Sequence, residues 1–453
     1  MKISICGGRV VDPANQIDSE LNLLLDGGKV AAVTTETPQA DLRIDACGKI
    51  VSPGFVDIHM HEDPVDDGKL YTDNERAIFH CMLRMGVTTA VGGNCGENKF
   101  HPADYLDLVD RDGAAVNVAM LAGHEFFRLR AGCTNKYAPA TAAQKDQMAR
   151  EITKSLRRGC AGVSYGIRYV PGIDMGELIR TAQGCQAGGK PIAAHIRSDA
   201  EEIYDAAREF LDAGAALGVP VQISHIGSMA GFGQMEKFLS LVDGYKTKNK
   251  RISCDCYPYA AFSTGIGSTT YDPGWLERYG CDYSVVELCE GKYKGQRCTK
   301  EIFEELRRDF PETMTVCYVM QAAEVERAYR HPGVMLGSDG TLSRGQGHPR
   351  AAGAFPKLLA DYVRPGKMSL YEAINKMSTL PARQMGFENK GKLSVGADAD
   401  IVIFDLDKVQ DRATFASPVL PPAGIDWVLV NGQLAAVDGS VINGRAGRAV
   451  RVY

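Results

Sequence analysis

The sequence predicts an α/β fold: a (β/α)8 TIM-type barrel with a small discontinuous β-sandwich built from both ends of the chain. Three observations carry that reading. Eight short apolar runs alternate with helix-like stretches, mostly at roughly 30-residue intervals, the length of a βα repeat. Most of these runs are apolar throughout rather than alternating, as expected for parallel strands covered on both faces. The length of 453 residues accommodates one large barrel and a smaller unit beside it.

Residues 1–50 read as short strands separated by turns, ISICGGRVVDP and then LNLLLDGGKVAAV. After a Pro53-Gly54 turn the first barrel strand is expected over Gly54–His59. The second to fifth follow at Thr88–Val91, Asn117–His124, Gly162–Tyr165 and Pro191–His195. The last three are Val219–His225, Arg251–Tyr257 and Val334–Asp339. Amphipathic patterns at Ala142–Arg158, Ala200–Leu217 and Gln234–Val242 supply helices between them. The interval before the eighth strand is far longer than the others. Residues 260–332 are charge-rich, carry a helix pattern at Lys300–Asp309, and read as an insertion over the barrel mouth, a lid. The barrel domain is thus 51–390. Residues 391–453 return to strands, ADADIVIFDLD and DWVLVNGQLAAVDG, with an Asn431-Gly432 hairpin turn. Neither terminal piece alone can bury a sheet face, so 1–50 and 391–453 are expected to combine.

Composition excludes several functions. The content of 45% apolar and 24% charged residues is that of an ordinary globular protein, and a net charge of -5 gives no electrostatic case for nucleic acid or an anionic membrane. Lys248, Lys250 and Arg251 form only a small basic cluster. No apolar stretch is long enough for a membrane span, and the N-terminus lacks the apolar core of a secretion signal. The cysteine count of 13 is odd, and Cys254 and Cys256 sit inside an apparent strand. A reduced, cytoplasmic protein is the expectation.

Six residues stand at the C-terminal ends of these strands: His59, His61, Cys95, His195, His225 and Asp339. Catalytic groups collect at that end of a barrel. Imidazoles, a thiolate and a carboxylate gathered there have the composition of a metal site. His59 and His61 alternate along a strand, so both can face one ion if the extended geometry persists. Cys95 follows the second strand in VGGNCGEN, a setting too glycine-rich and polar for a merely packed cysteine. His195 and His225 end adjacent strands at one level. Asp339 can serve as a further ligand or as a general base near an activated water. Among the other histidines, His80 reads as helical and structural, and His101 and His331 as loop residues. His124 ends the third strand and could orient the site.

Several segments resemble the amidohydrolase superfamily, and within it the N-acyl-D-amino-acid deacylases (D-aminoacylases). They are SPGFVDIHMH, GGNCG, GVSYGIRYVPG, HIRSDAEEIYDA, VQISH, CDCYPYAAFST, LGSDG, GHPRAAGAFP, KMSTLPARQMGF and KGKLSVGADADIVIFD, and they span essentially the whole chain. Hydantoinases and dihydroorotases with two metals usually bridge them by a carboxylated lysine ending strand four. Here that strand reads Gly162-Val163-Ser164-Tyr165, with no lysine, whereas the deacylases bridge through a strand-two cysteine, the place of Cys95. The resemblance implies a tight zinc site at Cys95, His195 and His225, and a second, weaker site at His59 and His61 with Cys95. It also implies that Arg350 holds a substrate carboxylate, with Tyr257 and Ser263 in the substrate pocket. Members of the superfamily are often multimeric, so a homo-oligomer is a candidate state.

Two departures qualify the substrate. The family lysine two residues after the second barrel histidine is absent in Ser224-His225-Ile226-Gly227, and Glu97-Asn98 replaces small or apolar residues after Cys95. The expected function is metal-dependent hydrolysis of a C–N amide bond, the deacylation of an N-acyl-D-amino acid or related amide carrying a carboxylate, by a zinc-activated water with Asp339 as proton acceptor. Alternatives are a cyclic amide hydrolase, hydantoinase- or dihydroorotase-like, and a non-catalytic binding protein on the same scaffold.

Overall fold

A computed structural model describes residues 1–70, 77–247, 249, 251–343 and 345–453. Lys248 and Lys250 of the small basic cluster lie outside the described residues; Arg251 is exposed. Eight strands form one parallel sheet: β1 (Phe55–Asp57), β2 (Val87–Gly92), β3 (Asn117–Gly123), β4 (Gly162–Gly166), β5 (Ile192–His195), β6 (Val221–Ile223), β7 (Ile252–Cys256) and β8 (Val334–Leu336). Their order follows the chain, and every strand residue is buried. That explains the unbroken apolar runs, since helices cover one face and the barrel interior the other.

The seam between β8 and β1 closes beyond the strand ends. Met60 bridges Gly340, the Asp339 N–H donates to the His59 carbonyl at 2.7 Å, and the His61 N–H donates to the Gly340 carbonyl at 2.9 Å. Closure therefore happens at the level of the histidine pair itself.

The helices form for local reasons. Thr141 caps Ala142–Arg157 in a reciprocal capping box with Gln144, and Met148, Ile152 and Leu156 turn inward at helical spacing. Ile203–Leu217 ends at left-handed Gly218. At Gly214 a Cβ would stand 2.1 Å from Val221 Cγ2, so the glycine lets this helix lie directly on β6. His124, expected to end the third strand, instead opens the helix His124–Arg130. Its imidazole turns away from the strand ends to Glu177 at 3.0 Å, which Arg128 also contacts.

Nine strands from both chain ends make a second sheet. Ile3–Asp12, Ile17–Asp26, Lys29–Thr34, Leu42–Asp45 and Ile50–Pro53 come first, and Ile401–Phe404, Ile425–Val430, Gln433–Val437 and Ser440–Val441 complete it. The junction is antiparallel pairing of Ile401–Phe404 with Ile50–Pro53. The two leaves expected of a sandwich are one continuous hydrogen-bonded sheet. A bulge between Ile5 and Gly8 divides the strand Ile3–Asp12, whose residues 3–6 pair with Leu42–Asp45 and residues 9–10 with Ile50–Val51. Its apolar side chains, among them Ile5, Leu23, Ile401 and Leu429, pack on one another as a separate core.

Between β7 and β8 lies a three-stranded antiparallel sheet, Phe262–Gly265, Val286–Leu288 and Met314–Cys317, with the helix Lys300–Asp309. Its residues Ser263–Gly265, Pro311, Glu312 and Met314 wall a cavity of about 380 Å³ over the barrel mouth.

Candidate metal centre

Most of the strands stop two to four residues short of the chemistry they deliver. β1 ends at Asp57, β2 at Gly92, β6 at Ile223 and β8 at Leu336; only His195 belongs to a strand, as the last residue of β5. Beyond those ends Cys95 (φ 52°), His225 (φ 33°) and Asp339 (φ 50°) adopt left-handed backbones. Such conformations cost of order 1–2 kcal/mol for a residue with a Cβ. Surrounding hydrogen bonds hold them. The Asn94 amide donates to the Val91 carbonyl at 2.8 Å, and the Gly96 N–H donates to Ser164 Oγ at 3.0 Å. Ser164 also donates to the Gly93 carbonyl. Strand four thus supports the cysteine loop with a hydroxyl.

Those turns, with His195, bring six side chains into three overlapping groups. Cys95 Sγ lies 3.4 Å from His59 Nε2 and 3.5 Å from His225 Nε2. Asp339 Oδ1 lies 3.2 Å from His61 Nε2 and 3.5 Å from His59 Nε2. Donor atoms of Cys95, His195 and His225 form one group within 4.8 Å of one another, and so do those of His59, His61 and Cys95 and of His59, His225 and Asp339. Around a tetrahedral ion with sulfur at about 2.3 Å and nitrogen at about 2.1 Å, the two donors stand roughly 3.5 Å apart. The observed spacings fit. His195 Nδ1 is moreover buried without a hydrogen-bond partner, an orphan that a metal would satisfy.

The ionised Cys95 and neutral His195 suit ligation directly, whereas a metal would have to displace a proton from His59. Burial opposes ionisation of the Cys95 thiol, but His59 and His225 hold it well below its ordinary value. Burial opposes protonation of His59, yet Asp255 and Cys95 raise it well above 6.5. Burial and the neighbouring His225 press His195 down to about 4, leaving a neutral ring. Asp339 is buried too, but Arg350 and His61 keep its carboxyl far below the usual range.

Arg350 begins the helix Arg350–Leu358 and is 2% exposed. Its Nη2 contacts Asp339 Oδ2 at 2.9 Å, while Nε and Nη1 are buried without a hydrogen-bond partner. It lines the mouth cavity with His61, Asp339 and Ser263. Tyr257 follows β7, with the Arg350 guanidinium 4.5 Å from its ring centre, so it forms a shelf below the arginine. Its hydroxyl reaches Met320 Sδ at 3.9 Å and neighbours Ser228. Ser263 donates to the Thr315 carbonyl at 2.8 Å and shares the cavity wall with Tyr169.

Sequence reasoning missed the buried groups behind the donors. Ser228 Oγ lies 3.0 Å from His225 Nδ1. Glu62 accepts the Gly93 N–H at 2.7 Å, and Asp57 accepts the Ser338 N–H at 2.9 Å. Asp255 accepts the His225 N–H at 2.8 Å. For Asp57 and Asp255 the available signal was a single carboxylate inside a buried strand run, as in FVDIHMH and ISCDC, because a buried carboxylate must have partners.

The sequence profile of the amidohydrolase family matches residues 319–436. A D-aminoacylase of Alcaligenes xylosoxydans xylosoxydans is 31% identical over 98% of this chain and 96% of its own. An N-acyl-D-glutamate deacylase of the same organism is 30% identical over 95% and 93%. The crystal structure of N-acyl-D-glutamate deacylase from Bordetella bronchiseptica, complexed with zinc and a phosphonate mimic of the reaction's tetrahedral intermediate, superposes with a TM-score of 0.88. It is 29% identical, over 99% of both chains.

Proposed function

The chain belongs to the N-acyl-D-amino-acid deacylase family of amidohydrolases, and from that membership we propose that its substrate is an N-acyl-D-amino acid whose carboxylate Arg350 holds. It is a metal-dependent hydrolase of a C–N amide bond. One observation supports the substrate reading above the rest. Asp339 stands between the donor cluster and a buried arginine with two unpartnered nitrogens. A planar guanidinium in that state suits a carboxylate fork.

In this reading Cys95, His195 and His225 would hold zinc, and His59 and His61 with Cys95 would hold a second, weaker ion. Bound there, zinc would supply a water acidified towards neutrality. Asp339, ionised at neutral pH, accepts the proton of the attacking water and returns it to the leaving nitrogen. Arg350 fixes the carboxylate, and Tyr257 and Ser263 flank the amide. Burial raises the Tyr257 phenol above its ordinary value, so it keeps its proton and can donate to the carbonyl oxygen. The 13 free cysteines support a reducing compartment, the cytoplasm. No described helix is long and apolar enough to cross a membrane.

The test is a kcat/KM panel of N-acetyl-D-amino acids, their L-enantiomers and hydantoins on zinc-loaded protein. Turnover confined to the D-series is expected. Faster opening of a hydantoin ring would overturn the substrate reading, and less than one metal ion per chain in an active preparation would overturn the metal assignment.

A further inference from the structure

We propose that Asp255 is a positioning residue of the metal centre, fixing the His59 imidazole through Nδ1 and the turned-out backbone of His225 through its N–H. Asp255 lies in β7, is wholly buried, and belongs to neither histidine's strand. Its Oδ1 accepts the His225 N–H at 2.8 Å and stands 3.1 Å from His59 Nδ1. The latter contact is close in distance and short of ideal in angle. Its Oδ2 accepts the Gln222 amide at 2.6 Å, which pins the carboxylate from behind.

The consequence for His59 is chemical. A proton on Nδ1 facing Asp255 leaves the Nε2 lone pair directed at the point shared with Cys95 Sγ, 3.4 Å away. The consequence for His225 is conformational. Its φ of 33° turns the chain out of β6, and the Asp255 hydrogen bond anchors that turn. One oxygen atom therefore serves ligands from the first and the sixth strands. Gly337 makes the arrangement possible, since a Cβ there would stand 2.8 Å from His59 Cβ and 3.0 Å from Asp255 Oδ1. Asp57, another buried carboxylate at the strand ends, accepts the backbone N–H groups of His59 and Ser338. Among the described residues, Asp255 is the carboxylate placed against the far nitrogen of His59.

This inference rests on the metal-centre reading above, and the experiment separates the two. The metal-free full-length protein is titrated with Co2+, following the thiolate-to-cobalt charge-transfer band that Cys95 ligation produces. A band in the parent protein tests the centre; the difference made by Asp255→Asn tests the positioning role. Asparagine keeps the size and an acceptor for the His225 N–H. Gln222 can rotate to meet it, because its Oε1 has no hydrogen-bond partner. The expected result is a folded protein with about 10- to 100-fold weaker cobalt affinity and an altered spectrum. If Asp255→Asn does not fold, Gly337→Ala, which presses His59 and Asp255 apart, is read in the same way. Cobalt affinity and spectrum unchanged in the folded variant would overturn the proposal, as would a parent protein with no charge-transfer band.

Discussion

Asp339 is held between opposite demands. Burial alone would keep it protonated, but Arg350 and His61 draw its pKa well below 3.8, so it waits as an acceptor at neutral pH. Replacing it by Asn removes the acceptor while Cys95, His195 and His225 remain. Asp339→Asn should lower kcat by about 10²–10⁴-fold with bound metal retained, checked by steady-state kinetics beside elemental analysis. Glu125 is a different case, because it lines the mouth cavity beside Glu97 and Lys99 without belonging to the donor groups. Burial and the neighbouring Glu97 push its carboxyl up to about 7. A folded pKa above the unfolded one means the folded chain holds the proton more tightly. That contribution is full below the unfolded value and is lost as pH rises through about 7. Glu125→Gln should therefore gain stability over the parent as pH rises, by about 1–2 kcal/mol at pH 8 after allowance for solvent screening, and far less at pH 5. Thermal melts at both pH values decide it; an equal difference at each would remove the explanation.

At the scale of elements, the barrel strands were legible because continuous apolar runs mark strands buried on both faces. Their ends were not. The runs read through to His59, His225 and Asp339, whereas pairing stops earlier and the chain turns. Those turns depend on partners distant in sequence, such as Asp255 for His225 and Ser164 for the cysteine loop, which a local pattern does not contain. The missing lysine belongs to the same scale. Gly227 lies in the short helix Ile226–Ala230, where a Cβ would stand 3.0 Å from Cys256 Sγ and 3.1 Å from Met320 Cε. Gly227→Lys should cost about 1–3 kcal/mol in stability without tightening KM. Adding Met320→Ala, which clears the flexible neighbour, should recover part of the loss. Denaturation and KM measured on the single and double variants check this.

Across the whole molecule, the chain end returns beneath the barrel, opposite the metal centre. Val118 donates to the Arg448 carbonyl, and Val450 and Val452 donate to the Val118 and Gly159 carbonyls. Buried Lys190, just before β5, ties this segment down by donating to the carbonyls of Leu156, Cys160 and Val452. Lys190→Met would leave those acceptors without their cation, at about 1–3 kcal/mol or more. The expected outcome is a lower melting temperature and faster proteolysis of the C-terminal segment, with kcat intact. A fall in kcat without loss of stability would contradict it.

Residue types and their order were enough to predict the barrel and to single out six candidate donors, because parallel strands need apolar runs and a metal needs nitrogen, sulfur and oxygen at strand ends; the hydrolytic class came from the resemblance of whole segments. The sequence likewise marked the lysine that is absent. Only the tertiary structure decided that the terminal strands merge into one folded sheet, that Tyr257 supports Arg350 from below, and that Asp255 braces ligands from two other strands. Each of these is a contact between segments far apart along the chain, and its geometry is set by packing, which no local pattern of residues encodes.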